Sequence, residues 1–376
     1  MLSTIDAIDE RLAEVNTKLE RVRRWLGETG RAAILLASQS DFAWITAGGD
    51  SRVAVDARDG VGAVLITDAS AYLLTSNIEL PRLLDEEVGG LPLEPVVYPW
   101  YELDGVPAML GKLADLAHTV SDTGAFGLPA VDAEFAPLRY TLLDPEVRRY
   151  RALGADAAEA VEAACRAARP GDIELDIAAA VSAESGRRNI VPLVDLVAAD
   201  ERIGRYRHPL PTRNRLRRTL LVALTGRRHG LHASLTRMVS FGSPDDELAA
   251  RHAAVLRVDA LVNLQSHPGA RLSDVLAAAA DQYATEGFPG EWQRHHQGGL
   301  TGYAGREIFA TLRARHRLEP GQATAWNPSI TRVKSEDTVL VTPDGPEVLT
   351  RTDGWPQVEV ELLAGSLARP ALLRQS

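Results

Sequence analysis

The stretch LRRTLLVALTGRRHGLHASLTRMVSFG, residues 216–242, carries the most informative pattern in the chain. It reads as a β-hairpin: a first strand through Thr219–Leu224, a turn over Gly226–Gly230 and a return strand over Leu231–Ser240. Side chains alternate faces along a strand, so His232, Ser234 and Thr236 share one face of the return strand. A polar face on a strand in the interior of a globular sequence is expected to line a cleft.

Around this hairpin lie 376 residues, enough for two domains with their own cores. Hydrophobic residues make up 45% and charged residues 24%, which is ordinary for a globular protein. A formal charge of −10 argues against nucleic acid or an anionic membrane as partner. The single cysteine, Cys165, has no partner for an internal disulfide and sits in an Ala-rich helical pattern, as a small buried hydrophobe would. The opening MLSTIDAIDERL is too polar for a signal peptide, and no apolar run approaches the ~18 residues of a membrane span. The cytoplasm is the expected compartment.

Taken in order, Ile5, Ile8, Leu12, Val15, Leu19, Val22 and Leu26 form the apolar stripe of a first helix that packs on its own domain. Apolar runs at 32–37, 62–67, 71–75 and 95–100 predict strands, with helical patterns at 79–87 and 106–118. This alternation predicts a small α/β domain over residues 1–140. The segment DFAWITAGGDSRVAVDARDG (41–60) is expected to be a glycine-rich loop. Asp144-Pro145-Glu146 supplies an N-cap, a first-turn proline and an acid for the positive helix end, opening a second domain over 141–365. ARPGDIELDIAAAVSA (168–183) and SHPGARLSDVLAAAAD (266–281) repeat a Pro-Gly stop followed by an Ala-rich helix, 98 residues apart, and suggest two pseudo-symmetric halves. A short helix or connector is expected at 308–320, the last core strands at 322–326 and 337–342, a tight hairpin at 342–350, and a peripheral tail at 366–376.

The order of these features resembles the creatinase, prolidase and aminopeptidase P family, of pita-bread, methionine-aminopeptidase-like fold. In its metallopeptidase members the hairpin carries two aspartates eleven residues apart, the second followed by x-Thr-Arg. Thr236-Arg237 matches, but the aspartate positions are Ala223 and Ser234. The resemblance implies an α/β (α+β) architecture: a creatinase-type N-terminal domain and a pita-bread domain with an internal pseudo-two-fold repeat. It covers about residues 142–352 through four more clusters.

Tyr206-Arg207-His208-Pro209 places His208 where the creatinase branch has its general acid/base. A histidine titrates near neutrality, so it can take and return a proton. In His295-His296-Gln297-Gly298, continuing to Gly305-Arg306-Glu307, His295 matches a metal-ligand histidine and Arg306 a substrate-binding arginine, with Glu307 beside it. A guanidinium fork suits a carboxylate. A second family histidine is replaced by Gly302. Trp326-Asn327-Pro328 puts Asn327 where the family has a metal-binding glutamate, and Glu336-Asp337-Thr338 retains the last one. Three of five metal-ligand places thus lack a carboxylate, and two ions cannot be held by His295 and Glu336 alone.

The resemblance therefore implies an enzyme of the creatinase branch that needs no metal or other cofactor. It would act on a C–N bond of a small amino-acid-like or amidino substrate, by hydrolysis or by lyase or isomerase chemistry. His208, His295 and Glu336 are the expected catalytic residues. Substrate contacts are expected from Arg306, Glu307, His232, Ser234, Thr236, Arg237 and Asn327, with Arg52 from the N-terminal domain of a partner subunit in a homodimer. Creatinase itself is disfavoured, because Thr236 and Asn327 stand where it has two glutamates. Two other readings stay open: a pseudo-peptidase that binds a peptide or protein, and a mononuclear metallohydrolase using His232, His295 and Glu336.

Overall fold

The computed structural model describes the backbone of residues 4–376 and the side chains from residue 8 onward. The side chain of Ile5, first in the expected helical stripe, and the first three residues of the segment read for a signal peptide lie outside those descriptions. Two compact units divide between Glu146 and Val147. No described helix is long and apolar enough to cross a membrane.

The first unit opens with α1 (Thr4–Thr29), whose Val15, Leu19, Val22 and Leu26 are buried while Ile8 is exposed. Strands β1 (Ala33–Ser38), β2 (Asp59–Thr67), β3 (Ala71–Ser76), β4 (Glu94–Tyr98) and β5 (Thr119–Ser121) form one sheet in the order β4-β3-β2-β1-β5. One segment differs from expectation. Residues 41–45 are not loop but part of a helix, α2 (Gln39–Ile45), capped where the Ser38 hydroxyl accepts from the Asp41 amide. Phe42 and Trp44 are fully buried, and that burial offsets the weak helix propensity of so short a segment. The expected helix over 106–118 also fails to continue: it covers Val106–Leu110, then gives way to turns and a 3-10 segment at Leu116–His118.

The second unit shows its internal repeat directly. Helix α3 (Asp144–Ala167) is followed by α4 (Glu174–Arg187) and then by β6 (Val191–Ala199), β7 (Thr219–Arg228) and β8 (Leu231–Phe241). Helix α5 (Asp246–Gln265) is followed by α6 (Leu272–Thr285) and then by β9 (Gly298–Thr301), β10 (Ile308–Phe309) and β11 (Ala323–Trp326). The residues preceding α4 and α6 are both extended, and both make an isolated antiparallel bridge, Ile173 with Arg215 and Arg271 with Arg317. Short strands β12 (Ser329–Ile330) and β13 (Val333–Lys334) precede β14 (Asp337–Thr342) and β15 (Gly345–Val348); of the two forms expected for 308–320, helix or connector, the segment takes the second, a connector that follows β10.

The hairpin is tighter than its glycines suggest. Arg228 pairs with Leu231, so the turn is His229-Gly230 alone, both at positive φ (53° and 78°) as a two-residue primed turn demands. Gly226 lies inside β7, where a Cβ would come within 2.5 Å of Ile190.

The tail is not peripheral. After β16 (Gln357–Leu362), strand β17 (Gly365–Pro370) brings Arg369 into the core at 0% exposure. Strand β18 (Leu373–Gln375) then pairs in parallel with β8, closing the sheet β18-β8-β7-β6. A charged residue near a chain end gives no hint in sequence that it will be buried; its two carboxylate partners decide it.

The second sheet, β10-β9-β11-β14-β15, depends on Gly298 and Gly299. At φ of 102° and 143° they let β9 lie between β10 and β11, and a Cβ on either would meet a carbonyl oxygen at 2.1 Å, that of Ala325 or Ile308. Gly298→Ala should destabilise this unit by on the order of 3 kcal/mol. Denaturant unfolding would show it as a lowered midpoint, and an unchanged midpoint would refute the crowding argument.

Candidate active site

The candidate site is built on β8. Its register sets His232 opposite Arg227, Ser234 opposite Thr225 and Thr236 opposite Ala223, so these six share one face. A bridge between Thr236 and Glu336 joins this hairpin to the second sheet, with the Thr236 amide donating to the Glu336 carbonyl at 3.0 Å. The Thr338 hydroxyl reinforces the joint, accepting from the Ser234 amide at 2.7 Å and donating to its carbonyl at 3.0 Å.

Glu336 is therefore delivered beside Thr236, whose hydroxyl donates to Oε2 at 2.9 Å. Lys334, two residues earlier and so on the same face, donates from Nζ to the same oxygen at 2.6 Å, and Arg306 Nη2 reaches Oε1 at 3.3 Å. Burial by itself would raise the Glu336 pKa, but the Lys334 and Arg306 charges reverse this and hold it at about 2. The carboxylate is ionised and already matched by two cations.

His208 arrives from the other direction. The loop carrying it is anchored by Glu174, fully buried at the start of α4, which accepts from the Ala199 and Thr212 amides at 2.9 Å and from the Thr212 hydroxyl at 2.8 Å, and pairs with Arg202. Arg207 tethers it again through Glu291, Ser329 and Thr331. His208, still exposed, then stands with its Nε2 2.9 Å from the Nε2 of buried His295. His296 closes the group: its ring centroid is 4.4 Å from that of His295 and 5.5 Å from that of His208. Among the described residues, these three are the histidine, cysteine or acidic side chains whose ligand atoms converge, all within 4.8 Å of one another. Desolvation first, and then the Lys334 charge, lowers the His208 pKa below its usual value; the same two causes hold His295 at about 2. Desolvation and Arg306 hold His296 at about 4. All three imidazoles are neutral at neutral pH.

Not every expected residue joins the site. Arg237 points to the opposite face of β8, 1% exposed, with Nη1 on Asp337 at 3.0 Å and Nη2 on the Thr350 carbonyl at 2.6 Å. Period two already separates it from Thr236, so its expected role as a substrate anchor is corrected to an internal ion pair. The Glu307 carboxylate accepts from the Ala304 amide at 3.1 Å and holds the Gly302–Glu307 turn. His232 is fastened to that turn too: its amide donates to the Gly302 carbonyl at 2.9 Å and its carbonyl accepts from the Tyr150 hydroxyl at 2.5 Å. The set His232, His295 and Glu336 is thus not the one that converges. Ser234 is hydroxyl-bonded to Thr225 at 2.9 Å, while Asn327, 2% exposed, keeps its Oδ1 without a hydrogen-bond partner. Arg306 likewise keeps a buried, unpartnered Nε. Arg52 belongs to the first unit, where it pairs with Asp50 at 3.2 Å.

Three contributors were not singled out from sequence. Lys334 was visible in principle, since i and i+2 share a strand face; His296 adjoins His295; Thr225 is set only by the hairpin register.

The family model described as metallopeptidase family M24 matches residues 148–343, more than half of the chain. The chain belongs to family M24. Among solved structures, the prolidase from Pyrococcus horikoshii OT3 superposes with a TM-score of 0.76 at 19% identity, covering 90% of this chain and 99% of that one. The Xaa-Pro dipeptidase from Bacillus anthracis gives 0.74 at 20% identity, covering 96% and 100%. The X-Pro aminopeptidase from Thermotoga maritima gives 0.72 at 18% identity, covering 89% and 97%. These likenesses establish the pita-bread fold. No curated protein matches the chain.

The family's name implies a metal centre, and the residues present do not fit a carboxylate-bridged pair of ions. Ala223 offers no donor, Thr225 and Ser234 satisfy each other, and Asn327 is an amide. Glu336 is the one carboxylate at those places, and an ammonium 2.6 Å from its Oε2 occupies the direction a cation would take.

Proposed function

We propose that this M24 protein is a metal-independent hydrolase of C–N bonds in small amide substrates that carry a carboxylate, with His208 as general acid/base. The observation that carries the reading is the Lys334–Glu336–Arg306 group beside the neutral His208–His295 pair. Two cations flank Glu336, the one carboxylate retained at the family's metal-ligand places. They supply fixed positive charge toward a substrate carboxylate or a developing oxyanion. Arg306 Nε is a free donor for that anion and Asn327 Oδ1 a free acceptor for a substrate N–H. The same charges disfavour an amidinium group, so the amino-acid-like half of the expected substrate range is the better match.

In the hydrolytic step the neutral His208 imidazole takes a proton from water as the oxygen adds to the carbonyl carbon. The C–N bond then breaks and the imidazolium returns that proton to the departing nitrogen, leaving one carboxylic acid and one amine. His295 orients the His208 ring through the 2.9 Å contact. A homodimer in which Arg52 reaches a partner's cleft remains part of this proposal, as does an intracellular setting.

The test is turnover by untagged, chelator-dialysed protein on a panel of N-acyl amino acids, small amides and Xaa-Pro dipeptides, with and without added Mn2+, Co2+ or Zn2+. Turnover without metal supports the reading. Turnover of Xaa-Pro dipeptides only after metal addition would establish a metallopeptidase and overturn it. Specific binding without turnover, under all conditions, would favour the pseudo-peptidase.

A further inference from the structure

The hairpin and Asn327, just after β11, lack the carboxylates of a metal pair, yet a different donor set has assembled beside them. We propose that His208, His295 and His296 form a nitrogen-only site for one borderline divalent cation, Zn2+ foremost, and that filling it silences His208. The silencing clause rests on the functional reading above; the site itself does not.

The geometry carries the case. One ring nitrogen from each histidine lies within 4.8 Å of the other two, and the His208 and His295 Nε2 atoms are 2.9 Å apart. A Zn2+ ion takes imidazole nitrogens at about 2.0–2.1 Å, so the ligands of a tetrahedral ion sit roughly 3.4 Å from one another. Reaching that arrangement opens the His208–His295 pair from 2.9 Å and draws the widest nitrogen pair in from as much as 4.8 Å. The rings are also held in place. The His296 ring meets Phe309 edge-on at 5.2 Å between centroids. The His295 carbonyl accepts from Gln297 Nε2 at 2.8 Å, and Gln297 Oε1 in turn accepts from the buried Tyr283 hydroxyl at 2.9 Å. These two contacts fix the His295 main chain, and the other nitrogen of its ring, Nδ1, lies 3.5 Å from the Ser329 hydroxyl, a contact on the side away from His208 of the kind that orients a ligand ring.

The chemistry selects the ion. Three neutral imidazoles without a carboxylate favour Zn2+, Co2+, Ni2+ or Cu2+ over Mg2+, Ca2+ or Mn2+. Glu336 does not enter the set, because Lys334 and Arg306 hold it. The Lys334 ammonium opposes a dication nearby, so the site should bind more weakly than one backed by acids, and Lys334→Met should tighten it. A bound cation would occupy the lone pair by which His208 accepts a proton.

The experiment titrates untagged, chelator-stripped, full-length protein with Zn2+ against a chromophoric competitor, and records the visible spectrum with Co2+. Expected are one Zn2+ per chain, Co2+ bands of low coordination number, and no competition from Mg2+ or Mn2+. His296→Ala, His295→Ala and His208→Ala should each weaken Zn2+ binding by at least about tenfold. Stoichiometry far below one, or an affinity that none of the three variants changes, would overturn the site. Turnover assays then separate the two ideas. Zn2+ binding that inhibits an active metal-free protein supports both. Metal-free turnover without Zn2+ binding removes this inference and keeps the functional reading. Zn2+ binding that proves necessary for turnover keeps the site, removes the silencing clause and removes the metal-free reading.

Discussion

His208→Ala should lower turnover by about 10²- to 10⁴-fold, the range usual for loss of a positioned acid/base, with KM for the carboxylate-bearing substrate little changed. The ring is exposed and its loop is anchored by Glu174 and Arg207, so the variant should fold and melt as the parent does. The pH dependence is a second signature. A general base works in its neutral form, so kcat/KM should fall on acidification through the His208 pKa. Desolvation and Lys334 hold that pKa below the ordinary histidine value. The acid limb should therefore lie below pH ~6.5, the ordinary histidine value. Lys334→Met removes one cause of the depression, so it should move that limb to higher pH. A limb that stays fixed in Lys334→Met, or full activity in His208→Ala, would remove His208 from the mechanism.

Asp337→Ala should be the most destabilising change in the second unit. Asp337 is 1% exposed and receives Arg237 Nη1 at 3.0 Å, Arg369 Nη2 at 2.6 Å and the Thr350 hydroxyl at 2.6 Å. Asp259, also buried, takes Arg369 at 2.6 Å and Ser335. Removing Asp337 leaves Arg237 with Glu162, at 3.7 Å, as its remaining carboxylate and Arg369 with Asp259. Breaking a buried pair from one side costs about 3–5 kcal/mol. For a unit of this size that corresponds to a melting point lower by roughly 6–20 °C. Calorimetry on the full chain would read it, and a change of only a degree or two would mean that water or rearrangement satisfies the arginines. Arg237→Met belongs to the same network. It should lower the melting point and leave KM for the anionic substrate unmoved, which separates its structural place from the substrate contact its sequence neighbours suggested.

Local pattern was enough for much of this molecule. The first-helix stripe, the hairpin, the 98-residue repeat and the order of the Gly-Arg-Glu, Asn-Pro and Glu-Asp-Thr clusters depend on spacing along the chain, and spacing is preserved in the fold. The loss of metal-binding carboxylates was legible for the same reason, since Ala223, Ser234 and Asn327 are identities at aligned places. Register and burial were not legible. Whether 41–45 is loop or helix turns on the burial of Phe42 and Trp44, and whether the tail is peripheral turns on the carboxylates that receive Arg369. The centre of the site is of the same kind. His208 and His295 are 87 residues apart, and their 2.9 Å contact needs a loop fixed by Glu174 and a strand admitted by Gly298. The sequence determined the family, the hairpin and the missing ligands, because these follow from residue identity and period. Only the tertiary structure decided that Lys334 and Arg306 neutralise Glu336 and that three imidazoles converge, because charge pairing and ring contact depend on distances across the fold.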